Sequence, residues 1–147
     1  MITNLIIAAP PPPPAAHGAL AGARLPDRFL LRGRTILIVE DEAMVAFDTQ
    51  LGLEDRGASV VGPCLSLAEA DEALSEAERL DAAVLDINIG GDAVFPLARH
   101  LAAAGVPFVF QTGNADMPEL QTEFAGRPVC GKPVDIDDLS AAIAALF

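Results

Sequence analysis

From Thr35 onward the chain alternates five short apolar runs with stretches of helical spacing. The runs are Thr35–Val39, Ser59–Val61, Ala82–Leu85, Val106–Phe110 and a stretch around Val129. Runs this short read as strands, and strands apolar almost throughout belong to a sheet covered on both faces. Strands that alternate with helices build a parallel sheet. The predicted fold is therefore α/β: a doubly wound, five-stranded parallel sheet with about five helices.

The helical stretches carry their own punctuation. The first runs from about Glu42 to Arg56, with Met44, Phe47 and Leu51 spaced for one face and Gly57 as its stop. Ser66-Leu-Ala-Glu69 is a capping box opening the second, with an apolar stripe of Leu67, Ala70, Leu74 and Ala77. Val94, Leu97 and Leu101 mark the third, after a loop holding Gly90-Gly91. Only Met117 to Phe124 is available for a fourth, about two turns, so it is expected to be short and comparatively mobile. Asp135 is placed to cap the last, with Leu139, Ile143 and Leu146 inward.

Residues 1–33 read as a separate Pro/Ala-rich, disordered tail, with an unbroken proline run from Pro10 to Pro14 that favours extended chain. Phe29-Leu30-Leu31 could pack against the domain at 34–147. Charge divides the same way. The tail holds three arginines against one aspartate, whereas residues 34–147 hold six basic and twenty acidic residues. That acidity argues against a nucleic-acid surface, which needs clustered Lys and Arg. No apolar stretch approaches the length of a membrane span, and Leu5-Ile6-Ile7 is too short for a signal-peptide core. The expected compartment is the cytoplasm.

Chemistry is expected at the carboxyl edge of the sheet, where open α/β folds place their ligands. Four polar groups stand where apolar runs end: Glu40-Asp41, Asp86, Thr112 and Lys132, the only lysine of the chain. Acids at a strand end are often just helix caps, favoured by the helix dipole. Gly90-Gly91, however, separates Asp86 from the next helix. Three clustered acids repel one another unless a cation neutralises them, and an all-oxygen set suits Mg²⁺. A cation, a hydroxyl and a metal around one carboxylate can hold a phosphoryl group, with Asp86 as nucleophile.

In Ile-Leu-Ile-Val-Glu40-Asp41-Glu42, Leu85-Asp86, Thr112 and Lys132-Pro133, residues 34–147 resemble the receiver domain of bacterial two-component response regulators. The resemblance implies a flavodoxin-like strand order 2-1-3-4-5 and phosphorylation of Asp86 by a sensor histidine kinase. It implies that Asp41 binds Mg²⁺ directly and Glu40 mainly through water, with Asp86 and the main-chain carbonyl of Asn88 completing the ligands. Thr112 is expected to hydrogen-bond the phosphoryl oxygen, Lys132 to pair with it, and the Lys132-Pro133 peptide to be cis. In that strand order Cys64 and Cys130 lie on opposite edges, roughly 19 Å apart, too far for a disulfide. Both are expected to be free thiols.

Val-Phe-Pro-Leu-Ala at 94–98 and Pro107-Phe-Val-Phe110-Gln-Thr112-Gly113 resemble the "FAT GUY" receivers, associated with kinases of the HWE type. Gln111 replaces that motif's alanine, and Asn114-Ala115 its aromatic ending. Most receivers carry an inward-turning aromatic three positions before the lysine; here it is Val129. The usual aromatic switch is therefore lacking, and the short fourth helix is the expected responder.

No output domain is read after the last helix. The expected function is a single-domain response regulator that acts through an unidentified protein target or as a phosphate sink. It is not expected to be an enzyme beyond catalysing its own phosphorylation and dephosphorylation. A dehalogenase-type phosphatase needs a second aspartate two residues after the first, where Asn88 stands. The remaining alternative is a pseudo-receiver, binding partners without phosphorylation. His100 reads as a surface residue near a helix end and His17 belongs to the tail; neither joins the cysteines in a metal cluster.

Overall fold

The computed structural model describes residues 28–147. The proline run, His17 and most of the predicted tail lie outside the described residues. The strands are β1 (Thr35–Val39), β2 (Ser59–Cys64), β3 (Ala82–Asp86), β4 (Asn88–Ile89), β5 (Asp92–Ala93), β6 (Phe108–Thr112) and β7 (Val129–Gly131). The helices are α1 (Ala43–Glu54), α2 (Leu67–Glu76), α3 (Phe95–Ala103), α4 (Pro118–Gln121) and α5 (Ile136–Ala144). Five parallel strands form the main sheet in the order β2-β1-β3-β6-β7, and β4 with β5 makes a separate antiparallel hairpin. Without that hairpin the order is the expected 2-1-3-4-5.

Strand periodicity explains the two layers. Side chains alternate across a strand, so Leu37, Val39, Ala83, Leu85, Phe108 and Phe110 enter one core with Ala70 of α2 and Leu97 and Leu101 of α3. Ile36, Ile38, Ala82, Val84 and Val109 enter the other, with Leu53 of α1 and Leu139 and Ile143 of α5. Leu31 is fully buried in this second core, and its N–H bonds Arg56 O at 2.9 Å. The packed body therefore reaches back to the Phe29-Leu30-Leu31 segment.

Caps form where side-chain oxygens were expected to supply them. Ser66 Oγ accepts from Glu69 N–H at 3.1 Å, while Glu69 reaches back to Leu65 N–H rather than to Ser66. Asp135 accepts from the N–H groups of Asp137 and Asp138. Both cysteines are free, and the Lys132-Pro133 peptide is cis, as is Gly62-Pro63.

One local expectation is corrected, the length of the fourth helix, and two others are refined. Met44, Phe47 and Leu51 share a face, but it is turned to solvent, at 79%, 50% and 65% exposure; α1 buries Ala46, Thr49 and Leu53 instead. This helix has apolar residues on two sides, and it presents its small side to α5, where a Cβ on Gly52 would come within 2.4 Å of Ile136 Cγ1. The fourth helix is a single turn, not two. Thr122 leaves helical geometry at φ −119° and ψ −87°, and its hydroxyl donates to Pro118 O. The chain then turns Phe124 into an aromatic cluster with Phe95, Phe108 and Phe110. Finally, the Gly90-Gly91 loop is the turn of the β4–β5 hairpin.

Candidate functional site

Parallel strands that end in register bring their last residues to one edge. Leu85 pairs with Val39 and Phe110, and Asp86 with Gln111. The residues just beyond, Glu40 and Asp41, therefore stand beside Asp86, while Lys132 N–H bonds Thr112 O at 2.9 Å next to β6. An open cleft of about 770 Å³ results, lined among others by Asp41, Asp86, Asn88, Thr112, Asn114 and Lys132.

Carboxylate oxygens of Glu40, Asp41 and Asp86 all lie within 4.8 Å of one another. Glu40 and Asp86 are buried, and Asp41 is exposed. Lys132 Nζ stands between two of the acids, 2.9 Å from Asp86 Oδ2 and 3.0 Å from Glu40 Oε2, with Glu42 Oε1 at 4.0 Å. Burial pushes the Glu40 carboxyl up to about 7; Asp86 adds to the rise, while the Glu42 N–H and Lys132 oppose it. Burial alone would lower the Lys132 pKa, but its bonds to Asp86 and Glu40 outweigh that and hold it above the ordinary lysine value.

The donor set fits a hard divalent cation: three clustered carboxylates, one in a site that disfavours its charge, and no sulfur or imidazole among the clustered ligands. Asn88 lines the same cleft, and its side-chain oxygen accepts from Gly91 N–H at 3.1 Å. Thr112 is buried at the end of β6, but its hydroxyl serves its own loop, accepting from Asn114 N–H at 3.0 Å and donating to Asn114 O at 3.1 Å. The cleft thus gathers Asp41, Asp86, Asn88, Thr112 and Lys132, with Glu40 buried behind its wall and bonded to Lys132, and with the threonine hydroxyl turned to its neighbour.

One participant is not among the residues expected from the sequence. Gly90 N–H, from the turn between β4 and β5, donates to Asp41 Oδ2 at 2.9 Å. Gly-Gly between Asn-Ile and Asp-Ala was a hairpin signal, but the flanking strands are two residues each, too short to show a period.

No protein-family model and no curated protein matches the chain. Solved structures do. A response regulator receiver protein from Sinorhizobium medicae WSM419 superposes with a TM-score of 0.68 at 27% identity, covering 77% of this chain and 93% of its own. The signal receiver domain of a modulated diguanylate cyclase from Desulfovibrio desulfuricans G20 is 30% identical, with a TM-score of 0.65, covering 76% of this chain and 90% of that one. The chain belongs to the receiver-domain family. A response regulator receiver domain protein from Clostridium thermocellum, 22% identical over 76% of this chain and 92% of its own, shares the receiver fold at a TM-score of 0.67. Membership places this receiver in two-component signalling. No helix among the described residues is long and apolar enough to cross a membrane.

Proposed function

We propose that this receiver is a response regulator that accepts a phosphoryl group on Asp86 from a sensor histidine kinase. The observation that carries the reading is the Lys132 ammonium held 2.9 Å from the Asp86 carboxylate, inside an open acidic cleft. An Asp86 oxygen attacks phosphorus, the bond from phosphorus to the donor's imidazole nitrogen breaks, and its electron pair stays on that nitrogen. Lys132 then balances the phosphoryl charge, and Thr112 donates its hydroxyl after leaving Asn114. Asp41, Asp86 and the Asn88 carbonyl would hold Mg²⁺, with Glu40 acting mainly through water. When bound, the ion neutralises charge on the transferring oxygens.

The receiver is no enzyme toward other substrates in this reading; it catalyses only its own phosphorylation and dephosphorylation. It works through a protein target or as a phosphate sink, in the cytoplasm. The motifs at 94–98 and 107–113 support a place among the FAT GUY receivers and a kinase of the HWE type. The solvent-facing Met44, Phe47 and Leu51 begin within a turn of Glu42, which lines the cleft. They give a kinase an apolar surface beside the acceptor. A pseudo-receiver is disfavoured, because the acid pair, acceptor, hydroxyl and lysine are all present and converge.

Incubation with Mg²⁺ and a small phosphodonor, followed by intact-mass measurement, tests the proposal. A gain of one phosphate, lost in Asp86→Ala and on removal of Mg²⁺, is expected. No gain in the wild type supports the pseudo-receiver.

A further inference from the structure

The geometry points to the β4–β5 hairpin as a positioning device for the divalent cation, acting through the Gly90 N–H on the Asp41 carboxylate. This rests on the metal reading above and adds a part that the ligand residues do not contain. Asp41 occupies an exposed bend between β1 and α1, where a carboxylate has rotamer freedom that a cation would have to freeze. Gly90 N–H fixes it beforehand, at 2.9 Å from Oδ2. A carboxylate accepts at about four lone-pair sites, so one N–H leaves Oδ1 and half of Oδ2 for a metal. Ordering paid before binding raises affinity.

The hairpin is built to hold that N–H in place. Ile89 is buried and roots it in the core that holds Leu85 and Val94. The pairs Asn88↔Ala93 and Ile89↔Asp92 close it, and Gly91 N–H to Asn88 Oδ1 braces the turn. Gly90 and Gly91 lie at φ +62° and +92°, the positive values a two-residue hairpin turn requires. A Cβ at Gly90 would meet nothing within 4 Å. Substitution there acts on backbone conformation and not by collision. Gly90→Asn tolerates positive φ, whereas Gly90→Val, β-branched, does not.

Calorimetric titration of the whole protein with Mg²⁺ alone tests the inference. Gly90→Val is expected to bind about tenfold more weakly, the factor for losing one hydrogen bond to a charged group, and Gly90→Asn to restore affinity to within about twofold of wild type. Amide exchange on the unaltered protein is the second readout and decides the matter if Gly90→Val does not fold. The Gly90 amide is expected to exchange more slowly once Mg²⁺ is bound, because coupling between sites is reciprocal. Wild-type affinity in Gly90→Val, or Gly90 exchange that is unchanged or faster with Mg²⁺, overturns the inference. A wild type that binds no Mg²⁺ overturns the metal reading as well.

Discussion

Lys132 Nζ lies 2.9 Å from Asp86 Oδ2, although the two residues are 46 positions apart in the chain. The lysine also pairs with Glu40, so it already neutralises part of the carboxylate charge that would otherwise attract a divalent cation.

Lys132→Ala should therefore move two observables in opposite directions. Mg²⁺ affinity should rise, because the cation no longer competes with an ammonium for Glu40 and Asp86. The rate of labelling by a phosphodonor should fall about 100-fold, the usual cost of removing one group aimed at developing charge. Titration calorimetry and a phosphorylation time course read the two; a parallel fall would mean that the lysine only maintains the fold.

At the other edge of the sheet, Thr35 N–H donates to Asp81 Oδ2 at 2.8 Å while Asp81 N–H donates to Thr35 O at 2.8 Å. Burial raises the Asp81 pKa, but the Thr35 N–H and Arg79 lower it more, and the net shift is downward from 3.8. A carboxylate with a depressed folded pKa stabilises the fold above its unfolded pKa and loses that contribution as pH falls through the folded value. Asp81→Ala should cost about 1–2 kcal/mol near neutral pH. Denaturant melts below about pH 4 should show the difference from wild type shrinking.

Gly52→Ala should lower stability by about 1–2 kcal/mol, although alanine favours a helix by about 1 kcal/mol. The added Cβ would stand 2.4 Å from Ile136 Cγ1 and 2.6 Å from its Cδ1. In an Ile136→Ala background both atoms are gone, and the same change should be neutral or stabilising. A double-mutant cycle measures the difference.

The residue at position 129, on the edge strand, is valine, so there is no aromatic ring to turn inward with Thr112. Phe124 instead ties the segment after α4 to Phe95 and Phe110, and Glu123 pairs with Arg99 of α3. Closure of Thr112 on a phosphoryl mimic should therefore change backbone amide shifts over residues 117–124. Spectra that match there with and without the mimic would remove α4 as the responder.

Strand positions and the convergence of Glu40, Asp41, Asp86, Thr112 and Lys132 could be read from sequence because both follow from where apolar runs end in a parallel sheet. The orientation of α1 could not. Met44, Phe47 and Leu51 have the spacing of a core face, yet the helix buries Ala46, Thr49 and Leu53 and packs Gly52 against Ile136. The Gly90–Asp41 contact was hidden for another reason. It joins a main-chain N–H to a side chain 49 residues away, and main-chain groups leave no residue type to read.

The most direct test of the central claim is to locate the phosphoryl group. After treatment with phosphodonor and Mg²⁺, borohydride reduces an aspartyl phosphate to homoserine, which peptide mass spectrometry can place. Homoserine at position 86 alone is the predicted result. Labelling at another residue, or none at any, would contradict the account.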